Sequence, residues 1–195
     1  MNAPATGPAR QILGIAGWSG AGKTTLLTRL IPRLRDAGLT VSTIKHAHHS
    51  FDIDRPGKDS FRHREAGASE VLITSANRMA LMVEYHDRSE PTLAELVARL
   101  SPVDLILVEG FKFGHHPKIE IYRAALGKPP LFPRNRGVVA LASDTEHPDS
   151  GLPCMHIDDI DAITRFIVAF QRAGHGIMTG TGAVGDDPTE AAQGS

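Results

Sequence analysis

The chain has 195 residues, 41% of them apolar, so it is long enough to bury one sizeable hydrophobic core. Its 21 basic and 22 acidic residues nearly balance, which gives no reason to expect nucleic acid or an anionic membrane as a partner. The single cysteine, Cys154, excludes an intramolecular disulfide and a zinc site built from several thiolates. Without a signal pattern or an apolar run of about 20 residues, we expect a cytoplasmic protein with no membrane span.

The first predicted elements are a buried strand at 12–16, a glycine-rich turn and a helix. The helix is indicated by apolar residues at three- and four-residue spacing, namely Leu26, Leu27, Leu30, Ile31 and Leu34. Gly38 is placed to end it, and Pro32 is expected to kink or shorten it.

Alternating apolar runs and amphipathic stretches continue to residue 174. Predicted strands lie at 40–45, 104–110, 118–123 and 137–144, a hairpin at 70–75 and 79–85, and helices at 92–100 and 160–174. The pattern predicts an α/β fold with a mostly parallel sheet, some antiparallel strands and both faces covered. We expect one domain over 11–174, between a flexible N-terminus (1–10) and a disordered tail (175–195).

The glycine-rich turn carries the most specific motif. Gly17, Gly22, Lys23 and Thr24 match G-x-x-x-x-G-K-[ST], and the match lies between a predicted strand and a predicted helix. Such a loop binds phosphates through backbone N–H groups and the helix N-terminus, with Lys23 on the β- and γ-phosphates and Thr24 on Mg²⁺. The order of its glycines does not fit a dinucleotide-binding fingerprint.

A P-loop also needs an acidic side chain at the end of a neighbouring strand to organise the metal ion. Glu109 ends the strand at 104–110 and is the candidate, although Asp is the usual residue and Glu109 is one methylene longer. The alternative is a carboxylate that faces solvent. Gly110 after it is expected to let the backbone pass close to the phosphates.

The segment 45–60, KHAHHSFDIDRPGKDS, is unusually rich in histidine and aspartate. Three interpretations stay open: a transition-metal site, a loop in which Asp52 or Asp54 contacts nucleotide-bound Mg²⁺ through water, or a solvated loop. The metal site would use His46, His48, His49, Asp52 and Asp54, and the nucleotide loop would turn Lys45, Arg55 and Lys58 toward phosphates. His115 and His116 are expected to be solvated.

Four stretches together resemble one known family. GWSGAGKTTLL, IKHAHHSFDIDRPGKDSFRHREAGA, RMALM and DLILVEGFK with KIEIYR are similar to the molybdopterin-guanine dinucleotide biosynthesis protein B family (MobB), over about 12–170. The resemblance implies a three-layer P-loop fold of the metallochaperone and signal-recognition type, GTP and Mg²⁺ as cofactors, a homodimer and weak GTPase activity. It also implies association with the guanylyltransferase (MobA-like) that attaches GMP to molybdopterin, and possible contact with molybdopterin or its guanine dinucleotide.

The motifs and the resemblance together predict a site. Catalytic roles are assigned to Lys23, Glu109 and Asp54, and metal binding to Thr24, Asp54 and Glu109. Nucleotide binding is assigned to Gly17, Trp18, Ser19, Gly20, Ala21, Gly22, Lys23, Thr24, Thr25, Lys45, His46 and Asp144. Asp144 follows an apolar strand and is our candidate for reading guanine. Trp18 either shields the phosphates or packs at a dimer interface.

Two other functions stay open at this point. One is a small-molecule kinase with an arginine-rich lid at 123–136, although Pro129, Pro130 and Pro133 favour an extended loop there. The other is a nickel or zinc metallochaperone GTPase that uses the histidine run. Three basic residues either bind a pterin phosphate or remain solvated, namely Arg78, Lys112 and Lys118.

Overall fold

The computed structural model describes residues 10–47 and 51–178. Within these ranges the strands are β1 (Arg10–Ala16), β2 (Val41–Lys45), β3 (Glu70–Thr74), β4 (Met79–Val83), β5 (Leu105–Glu109), β6 (Lys118–Tyr122), β7 (Val138–Ser143), β8 (Cys154–His156) and β9 (Ile177–Met178). The α-helices are α1 (Lys23–Asp36), α2 (Asp59–Glu65), α3 (Leu93–Arg99) and α4 (Ile160–Arg172). All the predicted strands and helices are present, and α2, β8 and β9 were not predicted.

The main sheet has the order β2-β5-β1-β6-β7-β8, and every neighbouring pair along this path is parallel. The carboxyl ends of these strands therefore lie along one edge, where ligands of open α/β sheets bind. β1, which leads into the glycine-rich turn, lies between β5 and β6. The predicted α/β class with a mostly parallel sheet is confirmed.

Both faces of the sheet are covered, because side chains of β1 alternate between two cores. Leu13 and Ile15 belong to a core that includes Leu30 of α1 and Ile163 of α4. Ile12 belongs to a smaller core with Leu93 and Val97 of α3. Burial of a leucine or isoleucine stabilises the fold by about 1.5–3 kcal/mol each, so these two cores hold the layers together.

α1 runs through Pro32 to Asp36, so the expectation that Pro32 shortens the helix is wrong. Leu30 and Leu34 are fully buried on either side of the proline, and this packing outweighs the lost backbone hydrogen bond. The helix ends as predicted at Gly38, whose φ is +88°. Gly38 N donates to Arg35 O and Leu39 N to Leu34 O, a Schellman motif that needs a left-handed residue.

The end of the described chain differs from the predicted domain boundaries. Arg10 already belongs to β1, and β9 pairs antiparallel with Arg10 and Gln11, so residues 175–178 are ordered where a disordered tail was predicted. The physical reason is the stagger of the sheet: β6 pairs with β1 only from Gly14 onward, which leaves the start of β1 open to β9. Residues 1–9 and 179–195 lie outside the described residues.

Residues 47–91 form a second compact unit, and the single domain expected over 11–174 stays a prediction. Its sheet contains only β3 and β4, paired antiparallel with Val71 opposite Met82, which confirms the predicted hairpin. A separate unit forms because these strands share no hydrogen bonds with the parallel sheet. Among the described residues, no helix is long and apolar enough to cross a membrane.

Candidate nucleotide-binding site

The turn between β1 and α1 depends on glycine for its path. Gly17, Gly20 and Gly22 have φ of +148°, +81° and +94°, values that other residues rarely adopt. At Gly17 a Cβ atom would lie 2.6 Å from the backbone oxygen of Ile121, so a side chain does not fit. The loop therefore lies tightly against the neighbouring strand β6 and presents its backbone at the carboxyl edge of the sheet.

The N-terminus of α1 is left without a protein cap. Its N-cap is Gly22, no side chain accepts a hydrogen bond there, and the first turn contains no acidic residue. The first N–H groups of a helix need acceptors, and the positive end of the helix dipole favours an anion. This arrangement fits a bound phosphate group.

Lys23 folds back onto the loop. Its Nζ donates to the carbonyl oxygens of Gly17 and Trp18, each at 3.0 Å. Burial lowers the pKa of Lys23, Glu109 opposes that shift, and the charges of Lys112 and Lys45 add to it. Three ammonium groups thus share one carboxylate, and a polyanion would relieve their repulsion.

Thr24 and Glu109 meet at the start of α1. The Thr24 hydroxyl donates to Glu109 Oε1 at 3.0 Å, and Lys45 Nζ lies 3.6 Å from the same oxygen. β5 is the neighbour of β1 on one side and β2 is the next strand beyond β5, which explains why the ends of these strands converge here. Hydroxyl and carboxylate oxygens are ligands that Mg²⁺ accepts, so this pair fits a metal ion beside the phosphates.

His46 follows β2 and packs beside the end of β5. Its backbone N–H donates to Glu109 O at 2.8 Å, and the centre of its ring lies 4.7 Å from the centre of the Phe111 ring. Gly110 has a φ of +101°, and a Cβ there would lie 2.7 Å from His46 Cβ. Gly110 is therefore required by the close approach of His46, and the expectation that it also lets the backbone pass close to phosphates stays a prediction.

Trp18 and Ser19, the first variable positions of the loop, point away from the sheet. Trp18 Nε1 donates to Pro129 O at 2.8 Å, and Lys112 Nζ lies 4.2 Å from the centre of the indole ring. Lys128 Nζ is more distant, at 5.8 Å. Ser19 and Thr25 are exposed, and Ala21 N closes a turn onto Trp18 O.

Arg123 is a site residue that sequence reasoning considered only as part of a lid. Its Nε donates to Ala21 O at 3.2 Å, and a Cβ at Gly22 would lie 3.8 Å from its guanidinium. The available signal was its position directly after β6, since β6 borders β1. The predicted lid at 123–136 contains two short 3-10 turns, Ala124–Leu126 and Phe132–Arg134, and no α-helix.

Asp144 lies directly after β7, two strands from β1 along the sheet. Its Oδ1 accepts from Ala124 N at 2.9 Å, so Arg123 and Ala124 connect it to the P-loop. Beside it lies a cavity of about 650 Å³. The cavity is lined by Asp144, Thr145, His147, Cys154, Met155 and His156, among others.

Asp52 and Asp54 belong to the second unit, where both contact Arg64. Arg64 Nη2 lies 2.8 Å from Asp52 Oδ2, and its Nε 3.6 Å from Asp54 Oδ2, while Ser60 Oγ donates to Asp54. The hydrogen bond from Asp54 N, followed by that from Arg64, lowers the pKa of Asp52. His48 and His49 lie outside the described residues, and within 10–47 and 51–178 no three His, Cys, Asp or Glu side chains group to hold a metal.

Two residues expected to be solvated are buried instead. Lys118 is fully buried and donates to Gly114 O, so the pterin-phosphate and the solvated interpretations are both wrong for it. Burial lowers the pKa of Lys118 to about 8, and burial next to Lys118 lowers the pKa of His116 to about 3. Both residues pack closely on Gly14 of β1, where a Cβ atom would lie 2.6 Å from His116 Nε2 and 2.8 Å from Lys118 Cβ.

Comparison with known proteins identifies the family. The family model described as molybdopterin guanine dinucleotide synthesis protein B, MobB, matches residues 12–144. The chain is also 41% identical over 168 residues to the molybdopterin-guanine dinucleotide biosynthesis adapter protein of Escherichia coli K12, covering 85% of this chain and 95% of that protein. The chain belongs to the MobB family.

Further MobB relatives agree with this assignment. The adapter protein of Haemophilus influenzae is 45% identical over 121 residues, 60% of this chain and 66% of that protein. The crystal structure of Bacillus subtilis MobB superposes with a TM-score of 0.63 at 26% identity, over 82% of this chain and 96% of that one. The P-loop fold expected from the resemblance is confirmed.

Proposed function

We propose that this chain is a GTP-binding adapter in molybdopterin guanine dinucleotide synthesis that hydrolyses GTP slowly. The observation that carries the proposal is the contact of Thr24 with Glu109 beside an uncapped α1, in a chain of the MobB family. Relatives named as biosynthesis adapters support the pathway, and the unpartnered helix start supports nucleotide binding.

In this proposal the P-loop backbone and Lys23 bind the β- and γ-phosphates. Thr24 and Glu109 hold Mg²⁺ directly or through water. When bound, Mg²⁺ supplies positive charge to the phosphates. Asp144 and the adjacent cavity offer a carboxylate and sufficient space for guanine, whose two N–H donors suit a carboxylate acceptor.

Slow hydrolysis is expected because fast P-loop GTPases use a glutamine or an arginine finger at the terminal phosphate. In the described part of the chain the glutamines are Gln11 and Gln171, and Gln11 Nε2 donates to Gln171 O at the start of β1. That is the edge opposite the P-loop. Arg123 lies on the β6 side of the loop, whereas Thr24 meets Glu109 of β5 on the other side.

Calorimetry with GTP and Mg²⁺ tests nucleotide binding. Lys23→Ala is expected to weaken GTP binding at least ~100-fold, because it removes the ammonium group that contacts the phosphates in this proposal. Its melting temperature should stay near that of the wild type, since Lys23 contacts only loop carbonyls. Unchanged GTP affinity in Lys23→Ala would refute the P-loop assignment, and an unchanged GTP-to-ATP preference in Asp144→Asn would refute that residue's role.

The partner and the assembly need separate tests. We propose a homodimer that associates with the guanylyltransferase attaching GMP to molybdopterin. A pull-down with that enzyme, with and without GTP, is expected to capture it in at least one state, and failure in both would refute the adapter role. Sedimentation velocity should give twice the monomer mass of 20.9 kDa.

A further inference from the structure

Trp18 and Lys112 form a pair at the mouth of the P-loop. Trp18 is the chain's single tryptophan, and its indole is fixed by the hydrogen bond from Nε1 to Pro129 O. Lys112 Nζ lies 4.2 Å from the ring centre and 5.6 Å from that of Phe113. The aromatic faces thus hold an ammonium group at the position where the loop begins.

The backbone of Lys112 is anchored while its side chain remains long and adjustable. Asn135 Nδ2 donates to Lys112 O at 2.6 Å, and Asn135 Oδ1 accepts from Gly137 N at 2.9 Å. The buried Lys118 holds the same loop through Gly114 O. The loop is therefore held at two carbonyls, those of Lys112 and Gly114.

Lys112 Nζ lies against Trp18, the residue that follows Gly17 in the P-loop. Its loop follows β5, the strand that carries Glu109 toward Thr24, and its charge lowers the pKa of Lys23. The lysine of a P-loop reaches the β- and γ-phosphates, and Trp18 contacts both lysines, since Lys23 Nζ donates to its carbonyl oxygen at 3.0 Å and Lys112 Nζ lies 4.2 Å from its ring centre. Lys128, the other lysine near Trp18, lies farther from the ring, at 5.8 Å.

Resting on the proposed function, we propose that Lys112 binds the terminal phosphate of the triphosphate and leaves the Trp18 ring to do so. A phosphate oxygen gives an ammonium a stronger partner than a ring face does, because the hydrogen bond is charge-assisted on both sides. The pair then distinguishes tri- from diphosphate, and Trp18 reports the change.

The test combines calorimetry with tryptophan fluorescence, using GDP and the non-hydrolysable analogue β,γ-imido-GTP, each with Mg²⁺. In wild-type protein the imido analogue is expected to change Trp18 emission, and GDP is expected to have a smaller effect. Lys112→Ala should weaken the binding of the imido analogue about tenfold and the binding of GDP less than twofold. It should also abolish the difference in emission between the two nucleotides.

Lys128→Ala is the matched control, since it removes a lysine near the same ring and is expected to behave as wild type. If Lys112→Ala weakens imido-GTP and GDP by the same factor, so that the ratio of the two affinities is unchanged, the inference is overturned while nucleotide binding stands. Absence of nucleotide binding by the wild-type protein would overturn the proposed function and this inference with it. Melting curves of both variants confirm that the fold is retained.

Discussion

The N-termini of α1 and α4 differ, although the two helices pack against the same core. At α4 the Asp159 carboxylate accepts from Ala162 N at 2.8 Å, and Asp161 adds a negative charge to the first turn. At α1 the corresponding positions hold Gly22 and no acidic residue. The chain thus supplies an acceptor for an amide at the start of α4 and no side-chain acceptor at the start of α1, which is the difference that the proposed phosphate site requires.

Giving α1 the kind of cap that α4 has should produce the largest effect. Gly22→Asp places a carboxylate next to the Arg123 guanidinium and the phosphate position, and we expect GTP affinity to fall more than ~100-fold. Gly22→Asn adds a neutral side chain with a similar backbone strain, and it should lose much less GTP affinity. Calorimetry on both variants separates charge from strain, and equal losses would show that strain alone is responsible.

Removing the carboxylate beside α1 should have a smaller effect. Glu109→Gln retains the side-chain shape but loses the charge that meets Thr24, and we expect GTP binding to weaken about tenfold in the presence of Mg²⁺. Without Mg²⁺ the variant and the wild type should bind alike. A loss that is the same with and without Mg²⁺ would contradict the metal role of Glu109.

Removing the cap of α4 should affect stability alone. Asp159→Ala is expected to lower the free energy of unfolding by about 1 kcal/mol, the usual contribution of an N-cap, while GTP affinity stays unchanged. Asp159→Asn retains a hydrogen-bond acceptor and should lose only part of this unfolding free energy. Urea unfolding measures the first quantity and calorimetry the second. A fall in GTP affinity would contradict the separation of the two helix starts.

The repulsion between lysine side chains at the start of α1 should cause a small fall in GTP affinity at alkaline pH. Burial, Lys112 and Lys45 hold the pKa of Lys23 below its ordinary 10.5, and bound phosphate should raise it again. GTP affinity should therefore fall as pH rises through the pKa of Lys23 in the free protein, with uptake of up to one proton. Calorimetry in buffers of different ionisation enthalpy measures that uptake, which should disappear in Lys23→Ala.

Most of the fold could be predicted because its signals are local. Apolar strands such as 105–109 and the glycines of the P-loop impose their structure within a few residues. The strand Lys118–Tyr122 shows the limit: its alternating polar residues indicate an exposed face, yet Lys118 and Glu120 are fully buried. Lys118 donates to Gly114 O and Glu120 accepts from the amides of residues 131 and 132, contacts that no local pattern indicates.

Some residues of the candidate site could likewise be predicted from local sequence, and others could not. Lys23, Thr24 and Glu109 follow from a motif and a strand end, whereas Arg123 at the P-loop depends on which strand borders β1. The strand β9 was missed because two residues are too few to show periodicity. It forms only where the stagger of β6 leaves β1 open.

The pairing of β9 with the start of β1 has a practical consequence for labelling. Arg10 and Met178 are register partners, so the described chain enters and leaves the sheet side by side. The carboxyl ends that carry Thr24, Glu109 and Asp144 lie at the opposite edge. A fluorophore attached at residue 10 or 178 would therefore lie at the edge away from the proposed nucleotide site, and protein labelled there should retain GTP binding.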